Sequence, residues 1–235
     1  MVRPVTAEPP IAGSFLSYLA EPERAHFLRR ATLRTLPADA AMMHEGDPTD
    51  HVLVLLSGWV RVYTNSRDGQ VVLIALRGPG DVIGDLAALQ GWPRTMTVET
   101  LQLTEFAQFT HDVFLSCLND RPAISIALTR QLAVRLRDSE AARVNFATMD
   151  IAGRVAALLV RLADMHGSPS REGIEVRMPL TQQDIGDSIG GSRRAVARAL
   201  QTFRERGMLV TGRRSFVLCQ PDVLRRLAGT VPNGA

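Results

Sequence analysis

Two clusters of residues stand out for what their side chains and spacing can do. In the first, Gly80-Asp81-Val82-Ile83-Gly84-Asp85-Leu86-Ala87 is followed at short range by Trp92-Pro93-Arg94-Thr95. A glycine turn leading into a helical turn aims backbone N–H groups at an anion, and a nearby arginine can neutralise a phosphate. Asp85 can accept a hydrogen bond from a ribose hydroxyl, so the set describes a sugar-phosphate site. An ordinary turn at Gly84 and an ordinary helix cap at Asp85 would account for the same residues.

The second cluster begins at Leu180-Thr181-Gln182-Gln183-Asp184-Ile185-Gly186. Thr181 with Asp184 three residues on is a capping-box pattern that opens a short helix, and Gly190-Gly191 closes it. Ser192 can then cap another helix, with Val196, Ala199, Leu200 and Phe203 on one side and Arg193, Arg194, Ala197, Arg198 and Gln201 on the other. Such a helix can lie in the major groove, where arginine reaches guanine O6 and N7, each good pair discriminating by about 1–3 kcal/mol. A charged helix face is ordinarily only a solvated one; the preceding helix and turn favour DNA. Downstream, Met208 to Val210, Thr211-Gly212-Arg213-Arg214 and Ser215 to Leu218 read as a hairpin whose basic tip can touch a phosphate backbone. A plain surface hairpin fits these residues too.

The elements that must position these clusters differ along the chain. From Thr35 to Phe109 short apolar runs alternate with turn residues: His51 to Leu56, Trp59 to Thr64, Val71 to Leu76, Asp81 to Ile83 and Leu101 to Phe109. That spacing predicts a small antiparallel barrel or roll, with turns at Gly58, Asp68-Gly69 and Gly78-Pro79-Gly80. Ala123 to Met149 lacks Gly and Pro and sets Ile124, Leu128, Leu132 and Leu136 at steps of four, which predicts one long helix. Its apolar stripe is expected to meet the same helix of a second subunit, with packing inside the chain as the alternative. A second helix follows from Asp150 to about Met165, then a loop at Gly167 to Ser170, a helix, a turn, a helix and a terminal hairpin. The fold class expected is α+β, divided into a sensor at 1–122, a long helix at 123–149 and a winged helix-turn-helix at 150–235.

Charge separates the two ends. All 27 basic residues are arginine; from Asp150 onward 13 Arg face 8 acidic residues, net +5, and before it 14 face 16, net −2. A basic domain joined to a mildly acidic one points to a polyanion for the first and different work for the second. No run approaches the roughly 18 apolar residues of a spanning helix. Met1 to Pro10 lacks the apolar core of a signal peptide, so a cytoplasmic protein without membrane contact is expected. Cys117 and Cys219 are too few for a disulfide framework or an iron–sulfur cluster and are expected as small buried residues; His44, His51 and His111 are isolated, so no metal site is expected. An enzyme of the cupin type would need a His-x-His pair with a nearby Glu, and the barrel has neither His-x-His nor a comparable cluster.

On these residues the chain resembles the cyclic AMP receptor protein family, the Crp/Fnr regulators, from Phe15 to Leu224. Gly84-Asp85-Leu86 and Arg94-Thr95-Met96 are similar to the family's phosphate-binding cassette, Gly-Glu-Leu followed about ten residues on by Arg-Ser/Thr-Ala. The resemblance implies a β-roll sensor in which Arg94 and Thr95 hold a cyclic phosphate and Asp85, one methylene shorter than the usual Glu, takes the ribose. Gly84, Leu86 and Ala87 complete that site. It places Ser139 at the base and Glu140 where a Ser normally reaches across the dimer. Cyclic AMP is the effector favoured, without a prosthetic group; cyclic GMP, another effector or none stay open. In the helix-turn-helix it implies Thr181 and Gln183 at phosphates, Ser192 at the start of the recognition helix, and Arg193 and Arg198 at base edges. Arg194 replaces the family's usual Glu, and since arginine only donates, the preferred half-site is expected to differ. The partners implied are a palindromic double-stranded DNA operator, a cyclic nucleotide, a second copy of the chain through residues 123–149, and RNA polymerase.

Overall fold

The structure, a computed structural model, describes residues 8–66, 69–212 and 214–229. Asp68 of the hairpin signal, Arg213 of the basic tip and most of the segment Met1 to Pro10 lie outside the described residues. Contacts divide the chain into two compact units, Met1–Leu136 and Arg137–Ala235.

In the first unit a short 3-10 turn at Phe15–Tyr18 precedes α1 (Glu21–Leu28), β1 (Thr32–Leu36), β2 (Ala41–Met43), β3 (Val52–Ser57), β4 (Val60–Asn65) and β5 (Val71–Arg77). Then follow β6 (Val82–Ile83), α2 (Asp85–Gln90), β7 (Thr97–Thr100), β8 (Thr104–Phe109), α3 (His111–Asp120) and α4 (Pro122–Thr148), the last running on into the second unit. The strands form two four-stranded sheets, β1-β8-β3-β6 and β2-β7-β4-β5, antiparallel throughout, so the expected roll is present. Its last strand is shorter than the apolar run Leu101 to Phe109 suggested, because Leu101 to Leu103 make the turn between β7 and β8.

β3 explains how one strand organises two cores. Val52, Val54 and Leu56 enter an outer core with Phe15, Phe27, Phe109 and Phe114. Leu53 and Leu55 face the interior of the roll with Met43, Val60, Ile83, Val98 and Phe106. Successive side chains of a strand point to opposite faces, so the unbroken Val-Leu-Val-Leu-Leu run is buried on both. Phe27 stacks on Phe109 with ring centroids 4.3 Å apart and meets Phe15 edge-on at 5.2 Å.

The long helix corrects one expectation. Ile124 and Leu128 are buried in the outer core and Leu132 packs against it; of the four-step stripe only Leu136 is left, 60% exposed. The first turns of α4 pack on the aromatic cluster, so most of the stripe expected to meet a second subunit is used within the chain instead.

In the second unit α5 (Ile151–His166) is followed by β9 (Ser168–Ser170), β10 (Gly173–Arg177), α6 (Gln182–Ile189), α7 (Arg193–Glu205), β11 (Leu209–Gly212), β12 (Ser215–Leu218) and α8 (Pro221–Leu227). α5 is central, burying Val155, Ala156, Leu158, Leu159, Val160, Leu162 and Ala163. The loop expected at Gly167 to Ser170 is in fact an edge strand: Ser168 to Ser170 pair with Glu175 to Gly173, giving the sheet order β11-β12-β10-β9. Pro169 is tolerated there because an edge strand can spare one N–H. Cys117 is buried as expected, whereas Cys219 is only partly so. Among the described residues no helix is long and apolar enough to cross a membrane.

Phe27 touches three other rings. Phe27→Ala is therefore expected to destabilise the sensor unit by about 3–5 kcal/mol in chemical denaturation.

Candidate functional site

β6 runs directly into the first cluster. Gly84, at the N-cap of α2, has φ +82°, and a Cβ there would lie 2.6 Å from Arg94 Nη1 and 2.9 Å from the His51 carbonyl oxygen. Only glycine meets both demands, the left-handed backbone and the close approach of the guanidinium.

Arg94 is 3% exposed. Its Nε donates to Thr49 Oγ1 at 3.0 Å, Nη1 to the Gly84 carbonyl at 3.1 Å and Nη2 to the His51 carbonyl at 2.6 Å. All three acceptors are neutral, and among the described residues no carboxylate stands at ion-pair distance. Burial pushes Arg94 below its ordinary value, while Asp50, Asp47 and Asp85 act on it through space in the opposite sense. Its backbone is pinned as well: the Arg94 N–H donates to the Asp47 carbonyl at 2.8 Å, and Gly46 N–H to the Arg94 carbonyl at 2.7 Å. Thr95 is exposed beside it, Leu86 is exposed and Ala87 buried.

Asp85 is buried but not free. Its carboxylate accepts from Arg135 Nη1 at 3.1 Å, and Arg135 Nη2 donates to the Val82 carbonyl. One turn earlier on α4, Gln131, 1% exposed, donates from Nε2 to Asp81 Oδ1 at 2.5 Å and accepts from the Val82 N–H at 3.4 Å. The second Asp81 carboxylate oxygen accepts from the Gly78 N–H at 3.0 Å. Residues four apart on one helix thus grip β6 at its entry and its exit. Reading by sequence missed both. The signal was there: Ala127, Gln131 and Arg135 form a second row at steps of four beside Ile124, Leu128 and Leu132, and two polar residues in a buried row need buried partners. Ser139, one turn beyond Arg135, is exposed and belongs to the second unit.

In the second unit the capping box is complete. Thr181 Oγ1 accepts from the Asp184 N–H at 3.1 Å, and the Asp184 carboxylate accepts from the Thr181 N–H at 2.9 Å. Gln183 Nε2 donates to Asp187 at 2.7 Å. α6 ends at Gly190, φ +64°, and the Gly191 N–H returns to the Gly186 carbonyl at 2.9 Å. A Cβ on Gly186 would sit 2.6 Å from the Gly191 oxygen, so this glycine lets the turn close against the helix. Ser192 caps α7 by accepting from the Ala195 N–H at 3.2 Å. Val196, Ala199, Leu200 and Phe203 are buried while Arg193, Arg194, Arg198 and Gln201 are exposed. Arg154 of α5 steadies this arrangement: it donates to the Ile189 carbonyl at 3.1 Å and lies 4.3 Å over the Phe146 ring. Arg214 is exposed at the hairpin tip with φ +59°.

A roll with a buried cationic niche, followed in the same chain by a winged helix-turn-helix with a cationic outer helix, defines a DNA-binding regulator with a ligand-sensing domain. Comparison with known proteins agrees. Residues 33–121 match the family model of the cyclic nucleotide-binding domain, and residues 153–227 that of the Crp-like helix-turn-helix domain. The chain is 32% identical over 192 residues to the CRP-like cAMP-activated global transcriptional regulator of Mycobacterium tuberculosis, covering 82% of this chain and 86% of that one. In fold it is similar to FixK2 from Bradyrhizobium japonicum, with a TM-score of 0.74, 24% identity, and 87% and 99% of the two chains covered. It is similar also to the c-di-GMP responsive global regulator CLP of Xanthomonas campestris, with a TM-score of 0.71, 22% identity, and 85% and 99% covered. The chain belongs to the Crp/Fnr family of transcription regulators. That family is not one of enzymes.

Removing one member of the Asp85–Arg135 pair strands the other in a largely buried setting. Arg135→Met is expected to cost on the order of 1–3 kcal/mol, between a surface and a fully buried pair, and Asp85→Asn in the same chain to recover part of it. A double-mutant cycle by chemical denaturation checks this. His51 is held below its ordinary value of 6.5, first by burial and then by Arg94. The unfolded chain therefore binds that proton more readily, so stability is expected to fall as pH drops below about 6.5, and His51→Gln to flatten the decline.

Proposed function

We propose that the protein is a homodimeric, cytoplasmic regulator whose binding to a palindromic operator is switched by a cyclic nucleotide, with cyclic AMP favoured. The observation that carries this is Arg94. A buried charge is ordinarily paired, and this one has three neutral acceptors and no carboxylate at ion-pair distance among the described residues. A singly charged cyclic phosphate supplies the missing anion, with Thr95 and the backbone from Gly84 to Ala87 beside it. Asp85 takes the ribose hydroxyl, and in doing so shares its carboxylate with Arg135. Ser139 serves the base from the long helix.

The coupling follows from that sharing. A ligand that draws on Asp85 alters the partner of Arg135, and with it the hold of α4 on the sensor; the equilibrium between two helix arrangements then shifts by the ligand's differential affinity. Ile126, Leu136, Val144 and Phe146 are large apolar residues of α4 left more than half exposed, and they support pairing of α4 with a second copy. In the DNA-binding unit, Thr181, Gln183, Arg213 and Arg214 take phosphates, Ser192 opens the recognition helix, and Arg193, Arg194 and Arg198 face the groove. RNA polymerase is the further partner of a regulator of this class. A second reading keeps the DNA-binding role with another effector or none. The prior engagement of Asp85 by Arg135 favours it, and so does the c-di-GMP responsiveness of CLP, one of the structural neighbours.

Calorimetric titration of cyclic AMP and cyclic GMP into the purified protein separates the two. Cyclic AMP is expected to bind, and Arg94→Ala, with its folding checked by thermal melting, to weaken it at least about 30-fold, the loss typical of a truncated buried charge contact. No binding of either nucleotide by the wild-type protein would discard the effector and leave the DNA-binding role standing.

A further inference from the structure

The charge on α7 is not neutralised by its own fold. Arg193 and Arg194 are the first two residues of the helix, at the positive end of its dipole, where cations are disfavoured. Arg194 and Arg198 are like charges four apart, which repel. Glu205, the one acidic residue of α7, accepts from Gln201 Nε2 at 2.8 Å. Arg204 donates to Thr211 at 3.4 Å, whereas Arg193, Arg194 and Arg198 are exposed and, among the described residues, have neither an ion pair nor a hydrogen bond through their side chains.

Their positions around the axis differ. With about 100° per residue, Arg194 and Arg198 fall roughly 40° apart on the side opposite Val196, Ala199, Leu200 and Phe203, while Arg193 lies on the flank of the buried face. When α7 enters a major groove, its N-terminal residues and its outermost line face the base edges, and Arg194 belongs to both. Arg194 therefore sits at the groove floor beside Arg198.

We propose that Arg194 is a specificity-determining residue that reads a guanine of its own, so that the operator half-site carries two guanines one to two base steps apart, one for Arg194 and one for Arg198. Four helical residues span about 6 Å and successive base pairs about 3.4 Å, so the two guanidiniums serve different base pairs. Guanine alone offers two acceptors, N7 and O6, to a bidentate donor in that groove; the cytosine amino group and the thymine methyl offer arginine nothing. The electronegative edge also supplies the compensation that α7 lacks. This rests on α7 being the groove-reading helix.

The experiment is selection from a randomised duplex library by the full-length protein at fixed salt, with and without cyclic AMP. The wild-type protein is expected to enrich a half-site with both guanines. Arg194→Ala is expected to lose preference at one of them, by about 5- to 150-fold, and keep the other. Arg198→Ala is expected to show the reverse, and Arg194→Glu to move the preference at its position to cytosine. Both arginines are exposed, so unchanged melting temperatures are expected to accompany these shifts. An Arg194→Ala profile identical to the wild type, with weaker binding to all sequences and a shallower salt dependence, would mean a phosphate contact and overturn the proposal alone. A wild-type protein that enriches no sequence in either condition would overturn the groove reading and the proposal together.

Discussion

The contact that ties the sensor's niche to its long helix is the pair between Asp85 and Arg135. Asp85 is the second residue of the glycine-led turn and Arg135 lies on the long helix, so one ion pair ties the chemistry of the niche to the element that leaves the domain. Its side chains are 4% and 19% exposed, which gives the pair a lower effective dielectric than a surface contact. Gln131 doubles the grip one turn away, and Asp81 passes it on to the Gly78-Pro79-Gly80 turn. β6 is only two residues long, and these contacts add to its short ladder with β3 in fixing where Gly84 and Asp85 stand.

The same economy runs through the packing. β3 is buried on both faces, and its two rows of side chains let a single strand hold the roll interior and the outer aromatic core in register. α4 then closes the outer core with Ile124 and Leu128 on one row and brings Gln131 and Arg135 to β6 on the next. Helix packing and site geometry are thus one arrangement: a helix rotated to expose Ile124 would also withdraw Arg135 from Asp85.

In the DNA-binding unit, glycines and caps do the corresponding work. Gly186 and Gly190 let α6 turn sharply into α7, Thr181 and Ser192 satisfy the free N–H groups at the two helix starts, and the buried face of α7 leaves its arginines outward. These are local devices, and they were legible. The capping pattern Thr181 to Asp184, the Gly-Gly stop and the three-four spacing of Val196, Ala199, Leu200 and Phe203 each depend on residues a few positions apart. The edge strand Ser168–Ser170 was not legible, because a three-residue strand with a central proline has no periodicity and exists only through its pairing with β10.

What the amino-acid sequence determined by itself was the order of elements, the glycine-led turn before Asp85, the position of Arg94 and the cationic face of α7, all of them short-range patterns of side-chain type. The tertiary structure alone decided which partners those groups take. It turned Arg94 onto the carbonyls of Gly84 and His51, gave Asp85 to Arg135 fifty residues away, and used the Ile124–Leu128 stripe inside the chain. The physical reason is that a buried polar or apolar group is stabilised by whichever complementary group the packing brings within a few ångströms, and that neighbour is set by how sheets and helices close around a core rather than by distance along the chain.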